Sequence, residues 1–577
     1  MLLLAPRLVS QPLSLKLVFA RLILPVRSLT RPFVARQREL LEQAIMRLPS
    51  LTDAAAWTTV LAAAASAQNS SFAQECSSLS SALSSVVPNA TVWFSEFVTG
   101  GTNITFPDND ASCARPAQVV ENDMCRVALR VPTTNRSEIS MEAWLPSNWT
   151  GRFLSTGNGG TSGCIQYEDM AYASDLGFAT VGANNGHNGT RGIAFGQNED
   201  VVLDFAWRSM HTGVVVGKHI SETFYGKTHT KSYYLGCSTG GRQGFKSAQA
   251  FADDFDGIVA GAPALSFNNL TSWSGHFYTI FGGNDTERFV PTDMWPIIHE
   301  DILKQCDGID GAVDGIIEDP ELCQYRPEAL ICASNATDTS SCLTGPQADA
   351  VRLVFSGVYG EDGMIVYPRM QPGSEIIASH VMYTGSDFIY TTDWYRYAIY
   401  NDPTWDPLTL SPADMAYAAA KNPGNIQTWD DLSAFQARGG KLLHYHGQMD
   451  AIISSDNSPR YYNHVSRQMN LNSAELDDFY RFFRISGMGH CSGGDGAWMI
   501  GNQLESRASL DPDHNALMAM VRWVEQGVAP EKLIGTKYVN DTESLGVDFT
   551  RVHCKYPKRN VYTGTGDGKD TEGWTCV

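Results

Sequence analysis

Short apolar blocks at Glu142–Leu145, Arg152–Ser155 and Phe178–Ala183, each closed by Gly or Asn turns, read as strands. From Asp204 to Phe224 the apolar period lengthens, with Ala206, Met210, Val214, Val215 and Ile220 on one broad face, which predicts a helix. An extended run over Lys231–Leu235 then leads through Gly236-Cys237-Ser238-Thr239-Gly240 into a helix-compatible segment reaching Ala250, and Phe255–Gly261 reads as another buried strand. Strands alternating with helices predict an α/β sheet with helices on its faces. Before this block, Gln68 to about Arg130 is Ser-rich and turn-rich and reads as an outer layer held by cysteines. After it, from Ala264 to Leu432, the pattern breaks into a stretch rich in Trp, Tyr, Asn, Asp and Pro. The sheet pattern resumes at Leu442–His446 and at Phe479–Ile485, and Asn515–Val524 suits a closing helix. The expected organisation is therefore one sheet domain in two parts, 68–263 and 433–577, with residues 264–432 inserted as a lid domain. Aromatic residues of the insert, among them Trp273, Phe277, Tyr278, Tyr390, Trp394, Tyr395 and Tyr397, are candidates to line a pocket for a flat substrate.

The strand–turn–helix at Ser238 has the form of a nucleophile elbow, in which Gly236 and Gly240 leave room for close backbone passage. A serine hydroxyl needs a base, and the base needs an orienting acid. Asp450 follows the strand Leu442–His446, and His490 sits in a glycine-bracketed turn after Phe479–Ile485, both where an α/β sheet displays residues at its C-terminal edge. The order Ser238, Asp450, His490 is that of α/β-hydrolases. Asp456 is the substitute acid. His444 and His446 are read as facing sheet and surface, with His446 able to approach the site, and His211 and His219 as structural. The oxyanion hole is expected from the Thr239 N–H and one N–H of Gly157-Asn158-Gly159-Gly160, with Gly160 chosen over Gly159. Cys237 precedes the nucleophile and Cys491 follows the base, so contact between Ser238 and His490 would make a Cys237–Cys491 disulfide geometrically natural.

Composition places this chemistry outside the cytosol. The 577 residues include 12 cysteines, all beyond position 67, an even number suited to disulfides. N-x-S/T sequons stand at Asn69, Asn89, Asn103, Asn135, Asn148, Asn188, Asn269, Asn284, Asn335 and Asn540, so a glycoprotein is expected. Met46-Arg47, an apolar body from Ala54 to Ala65 and Ala65-Ser66-Ala67 describe a signal peptide over 46–67, which makes residues 1–45, basic through 38, an upstream extension. No later stretch has the apolar length of a membrane span. A net charge of −20 argues against nucleic acid and anionic membrane as partners, while a homodimer stays open.

A second constellation lies in the insert. Asp307, Asp310 and Asp314, spaced by glycines, with the Ala312 and Ile316 carbonyls, suit a hard cation such as calcium, and Cys306 and Cys323 bracket the loop. Its role would be to stiffen the lid, since serine-based ester hydrolysis needs no metal.

Gly236-Cys237-Ser238-Thr239-Gly240-Gly241, Asp450 and Gly489-His490-Cys491 together resemble the secreted fungal tannase and feruloyl esterase family, over about Cys76 to Cys576. The resemblance implies an α/β-hydrolase sheet with a large inserted lid, a Ser238–Asp450–His490 triad, and a structural calcium at Asp307, Asp310, Ala312, Asp314 and Ile316. It also implies the disulfides Cys76–Cys125, Cys113–Cys164, Cys237–Cys491, Cys306–Cys323, Cys332–Cys342 and Cys554–Cys576. Within the family, the feruloyl esterase B type implies release of ferulic and p-coumaric acids from feruloylated plant cell-wall polysaccharide or small phenolic esters. Tannase action on galloyl esters is the alternative; the insert has no Lys-Arg pair, the clear basic pair being Lys558-Arg559 near the C-terminus. An inactive carbohydrate-binding glycoprotein is the alternative of another class, and loss of a triad member would have favoured it.

Overall fold

The computed structural model describes residues 70–565 and 568–577. The expected extension (1–45), the signal peptide (46–67) and the Asn69 sequon lie outside the described residues. The compact unit is Phe72–Val577.

Among the described residues nine strands form the main sheet: β1 Thr91–Val98, β2 Met124–Pro132, β3 Glu138–Pro146, β4 Arg152–Thr156, β5 Phe178–Ala183, β6 Lys231–Cys237, β7 Gly257–Gly261, β8 Lys441–Gly447 and β9 Tyr480–Ile485. Their order is β1-β2-β3-β5-β4-β6-β7-β8-β9. β1, β2, β3 and β5 pair antiparallel, and every pair from β5 through β4 to β9 is parallel. The first two strands arise from the stretch read as an outer layer. β1 is an edge strand whose residues stay largely exposed or half-buried, so it carries little of the apolar contrast that marks a strand.

A parallel sheet must be covered on both faces, and successive side chains divide between them. Tyr234, Ile258 and Leu442 join Val214 and Ile220 of α2 (Ser209–Tyr225), Phe245 of α3 (Thr239–Ala250) and Tyr461 of α5 (Asn457–Met469) in one core. Their neighbours Tyr233, Val259 and Leu443 join Tyr172 of α1 (Tyr167–Asp175) and Leu517 and Met520 of α6 (Ala516–Gln526) in another. Together these layers make an α/β-hydrolase sheet with a large insertion between β7 and β8.

The insertion packs around α4 (Phe267–Phe281) in a third core, which also takes in Phe195, Val202 and Phe205 from before β6 and Ile453 from after β8. Trp273, Phe277, Trp394 and Tyr395 are almost fully buried there. These rings hold the insert together instead of lining a pocket; of the aromatics expected at the substrate, Tyr390 is the one that reaches Ser238's surroundings.

All twelve cysteines are bridged, as Cys76–Cys125, Cys113–Cys164, Cys237–Cys491, Cys306–Cys323, Cys332–Cys342 and Cys554–Cys576. Among the described sequons Asn269 differs from the rest: it is half-buried on α4 and donates its amide to the Val366 carbonyl at 3.2 Å, whereas the others are exposed. No described helix is long and apolar enough to cross a membrane.

The calcium expectation needs correction. Among the described residues no group of three or more His, Cys, Asp or Glu side chains is arranged to hold a metal ion. The acidic loop satisfies its carboxylates from its own backbone and from Arg551. Asp307 accepts from the Gly315 N–H at 3.2 Å, and Asp310 accepts from the N–H groups of Ala312 at 2.8 Å and Glu318 at 3.3 Å. Asp314 accepts from the Ile316 N–H at 3.1 Å and pairs with Arg551 at 2.6 Å. Arg551, 2% exposed, also pairs with Glu318 at 2.8 Å, so the positive charge among these acids is a guanidinium of the chain itself. The carboxylate spacing in sequence carried no information about that distant arginine.

Candidate active site

β6 delivers Cys237 and Ser238 to the C-terminal edge of the sheet, and α3 starts at Thr239. Ser238 has φ 65° and ψ −125°, a region that costs an L-residue energy and persists because its surroundings enforce it. Its N–H donates to the Gly261 carbonyl at 3.0 Å, and its own carbonyl accepts from Arg242 and Ala264. The flanking glycines are sterically required. A Cβ on Gly236 would stand 2.9 Å from the Gly240 carbonyl carbon, and one on Gly157 would stand 2.5 Å from Gly240 Cα.

His490 Nε2 lies 2.9 Å from Ser238 Oγ, and His490 Nδ1 lies 2.7 Å from Asp450 Oδ2. Asp450 is fully buried after β8, and its Oδ1 accepts from the N–H groups of Ile452 at 2.8 Å and Ile453 at 2.9 Å. Burial alone would favour the neutral acid, but the His490 charge and the hydrogen bonds from His446 and His490 outweigh it and hold this carboxyl well below the usual range. The Cys237–Cys491 bridge ties the residue before the serine to the residue after the histidine, with Cα atoms 5.9 Å apart. Asp456, the substitute acid, instead faces Arg369 at 3.5 Å.

A buried chain behind Asp450 went unread in the sequence. His446 Nε2 is 3.0 Å from Asp450 Oδ2, and its Nδ1 is 2.6 Å from Ser458 Oγ. Ser458 Oγ is 2.9 Å from His444 Nε2, and His444 Nδ1 is 2.9 Å from Tyr480 OH. One proton arrangement satisfies every member: Tyr480 donates to His444, His444 to Ser458, Ser458 to His446, and His446 to the carboxylate. Burial pushes the His444 pKa well down, in keeping with a neutral ring. Both histidines are fully buried, so neither faces the surface as expected, while His446 does approach the site, through Asp450. The two-residue spacing put them on one face, and only Ser458 on α5, absent from the strand's pattern, links them.

Thr239 opens α3, so its N–H has no acceptor within the helix and stands beside Ser238. Thr239 Oγ1 donates to the Gly160 carbonyl at 2.6 Å, which ties the glycine loop to the helix start. Gly160 has φ +52°, and a Cβ there would meet the Tyr390 ring at 2.5 Å. The Gly159 carbonyl accepts from the Ser162 hydroxyl at 2.6 Å.

Two cavities meet at Ser238. One is an apolar slot walled by Phe267, Leu270, Phe388, Tyr390, Ile452 and Ile453. The other is a polar cleft of about 440 Å³ that His490 lines. A larger cavity of about 940 Å³ lies along β1 and β2 at Trp93 and Arg126, and none of Ser238, Asp450 and His490 lines it, so the chemistry selects the smaller pair.

The family described as "Tannase and feruloyl esterase" matches residues 125–405 and 421–577. A probable feruloyl esterase B-2 of Neosartorya fischeri is 56% identical over 518 residues, covering 90% of this chain and 98% of that protein. Feruloyl esterase C of Talaromyces stipitatus is 54% identical over 507 residues, covering 88% and 95%. Among solved structures, an esterase from Aspergillus oryzae superposes with a TM-score of 0.86 at 56% identity, covering 88% of this chain and 100% of that one. Feruloyl esterase B from the same species gives 0.85 at 52% identity with the same coverage. With this coverage and identity, and with a serine, a histidine and a buried aspartate in hydrogen-bonded succession, the chain belongs to the tannase and feruloyl esterase family.

Proposed function

We propose that this protein is a secreted serine esterase that releases ferulic and p-coumaric acids from feruloylated plant cell-wall polysaccharide and small phenolic esters. His490 takes the proton of Ser238 as Oγ attacks the ester carbonyl, and Asp450 holds the imidazole in the useful tautomer and stabilises its protonated form. The Thr239 and Gly160 N–H groups receive the developing oxyanion. His490 then gives its proton to the leaving alcohol, and water hydrolyses the cinnamoyl-enzyme by the same acid–base path.

The observation that carries the cinnamoyl preference is the chemistry of the slot. Three of its hydroxyls are committed to backbone: Thr161 donates to the Thr190 carbonyl at 3.2 Å, Thr271 to that of Asn268 at 3.0 Å and Ser274 to that of Leu270 at 3.0 Å. The remaining wall is largely hydrocarbon and aromatic. A galloyl ring would bury three hydroxyls against it with few free partners, which penalises the transition state. The relatives named feruloyl esterase favour the same class. The fully bridged cysteines suit an oxidising compartment and hence secretion. The lid reading of residues 264–432 and glycosylation at the exposed sequons belong to this proposal. The test is a side-by-side set of specificity constants for methyl ferulate, methyl p-coumarate, methyl caffeate and methyl gallate. The cinnamates lead if the reading holds, and a gallate constant above all three overturns it in favour of a tannase.

A further inference from the structure

The substrate has two halves, and the geometry assigns each half a cavity. During collapse of the tetrahedral intermediate His490 must reach the leaving oxygen, so the alcohol lies on the side that His490 lines. That side is the polar cleft, whose wall also includes Arg115, Glu168, Asp169, Gln503 and Glu505. The aromatic acyl group is left with the apolar slot, which at about 30 Å³ must widen between Phe388, Tyr390 and Ile452 to take the ring.

Asp169 is the unusual member of the cleft. It sits in the first turn of α1, is only 5% exposed, and its Oδ1 is buried with no hydrogen-bond partner among the described residues. Leaving a carboxyl oxygen in that condition costs stability, which the nearby Arg115 charge offsets only in part. The neighbouring cation is committed elsewhere: Arg115 clasps Glu168 through Nε at 2.7 Å and Nη2 at 2.6 Å. Burial, with Glu168 adding its charge, pushes the Asp169 carboxyl well above the ordinary range. Glu505 stands exposed on the cleft. A wall of carboxyl groups with one unsatisfied oxygen matches hydroxyls, which donate and accept, and offers nothing to a methyl group.

We propose that this cleft is the alcohol subsite and binds a neutral sugar, with Asp169 as a specificity-determining residue that hydrogen-bonds a sugar hydroxyl and Glu505 as a second contact. The proposal rests on the esterase reading above. It assigns the polysaccharide side of the substrate to named residues, and it gives a use to a carboxyl that the fold itself does not need.

The experiment compares kcat/KM for feruloylated arabinose with that for methyl ferulate in wild type, Asp169→Ala and Glu505→Gln, together with melting temperatures. The sugar-to-methyl ratio is expected to fall about tenfold in Asp169→Ala, through KM, and about threefold in Glu505→Gln. The melting temperature of Asp169→Ala should hold or rise, because an unpaired buried group is removed. Equal losses on both esters accompanied by a lowered melting temperature would make Asp169 structural and overturn the proposal. An unchanged ratio in both variants would do the same, and Glu505→Gln, at an exposed position, decides alone if Asp169→Ala does not fold. Failure of the cinnamoyl reading has a different signature, methyl gallate outrunning methyl ferulate in wild type. In that event galloyl glucose against methyl gallate supplies the ratio.

Discussion

His446 Nε2 stands 3.0 Å from the same Asp450 oxygen that His490 Nδ1 engages at 2.7 Å. The aspartate therefore holds two imidazoles on one oxygen and two backbone N–H groups on the other. Four donors fix the direction of the carboxylate, and through it the plane of the His490 ring. Replacing His446 by Ala should lower kcat on methyl ferulate about tenfold with little change in KM, because His446 acts on the positioning of Asp450 and not on substrate. His446→Gln, which can still donate toward the carboxylate, should recover part of the loss. Steady-state kinetics on the two variants would check this; a loss confined to KM contradicts it.

Asp450 also gives stability a pH dependence with a definite sign. Its folded-state pKa is depressed, so near pH 4, the ordinary carboxylate range, the unfolded chain binds a proton there while the native state does not. The contribution is complete above that range and is lost as pH falls through it toward the folded value. Melting temperature measured from about pH 6 down to about pH 3 should fall more steeply for wild type than for Asp450→Asn. Parallel curves would show that other carboxylates dominate.

Ser238→Ala should reduce turnover of methyl ferulate by about ten-thousandfold while leaving the circular dichroism spectrum unchanged, and His490→Ala should come close to it. A folded variant of either kind within about tenfold of wild type would remove the triad assignment.

Gly160→Ala places a side chain into a left-handed backbone position and against the Tyr390 ring. The loop must move, and the Gly160 N–H moves with it. We expect kcat to drop about a hundredfold, the scale of losing one oxyanion donor, with far-ultraviolet circular dichroism preserved. Tyr390→Ala in the same chain should restore part of the activity by making room for the added methyl group.

The parts of the fold that could be read in the sequence were those with sharp local contrast. β4, β5 and β6 are short apolar runs ended by glycine or asparagine, and Ser238 lies in a motif whose glycines have a steric reason to be there. β1 escapes the pattern because a sheet edge needs no apolar face, whereas β2 is a buried apolar run hidden by the Ser-rich, turn-rich stretch that precedes it. Long-range partners were the general blind spot. Arg551 meets the acidic loop across more than two hundred residues, and an array that looked like a cation site is satisfied by it. His444 and His446 were visible, but the serine that joins them is on another element. The slot residues Phe267, Leu270, Ile452 and Ile453 carry no signal in the sequence, since nothing local marks an apolar side chain that faces a cavity.

The Cys237–Cys491 bridge spans 254 residues, a separation that contains the whole insertion and Asp450. A protease that nicks the insertion therefore leaves two polypeptides which remain one molecule, sewn together beside the reacting pair. The serine would travel with the upstream piece and the histidine with the downstream piece, yet neither could drift from the other. Such a clipped enzyme would run as a single species on a denaturing gel and fall into two bands when a thiol is added. Covalent continuity of the backbone and integrity of the catalytic centre are thus separable properties of this molecule.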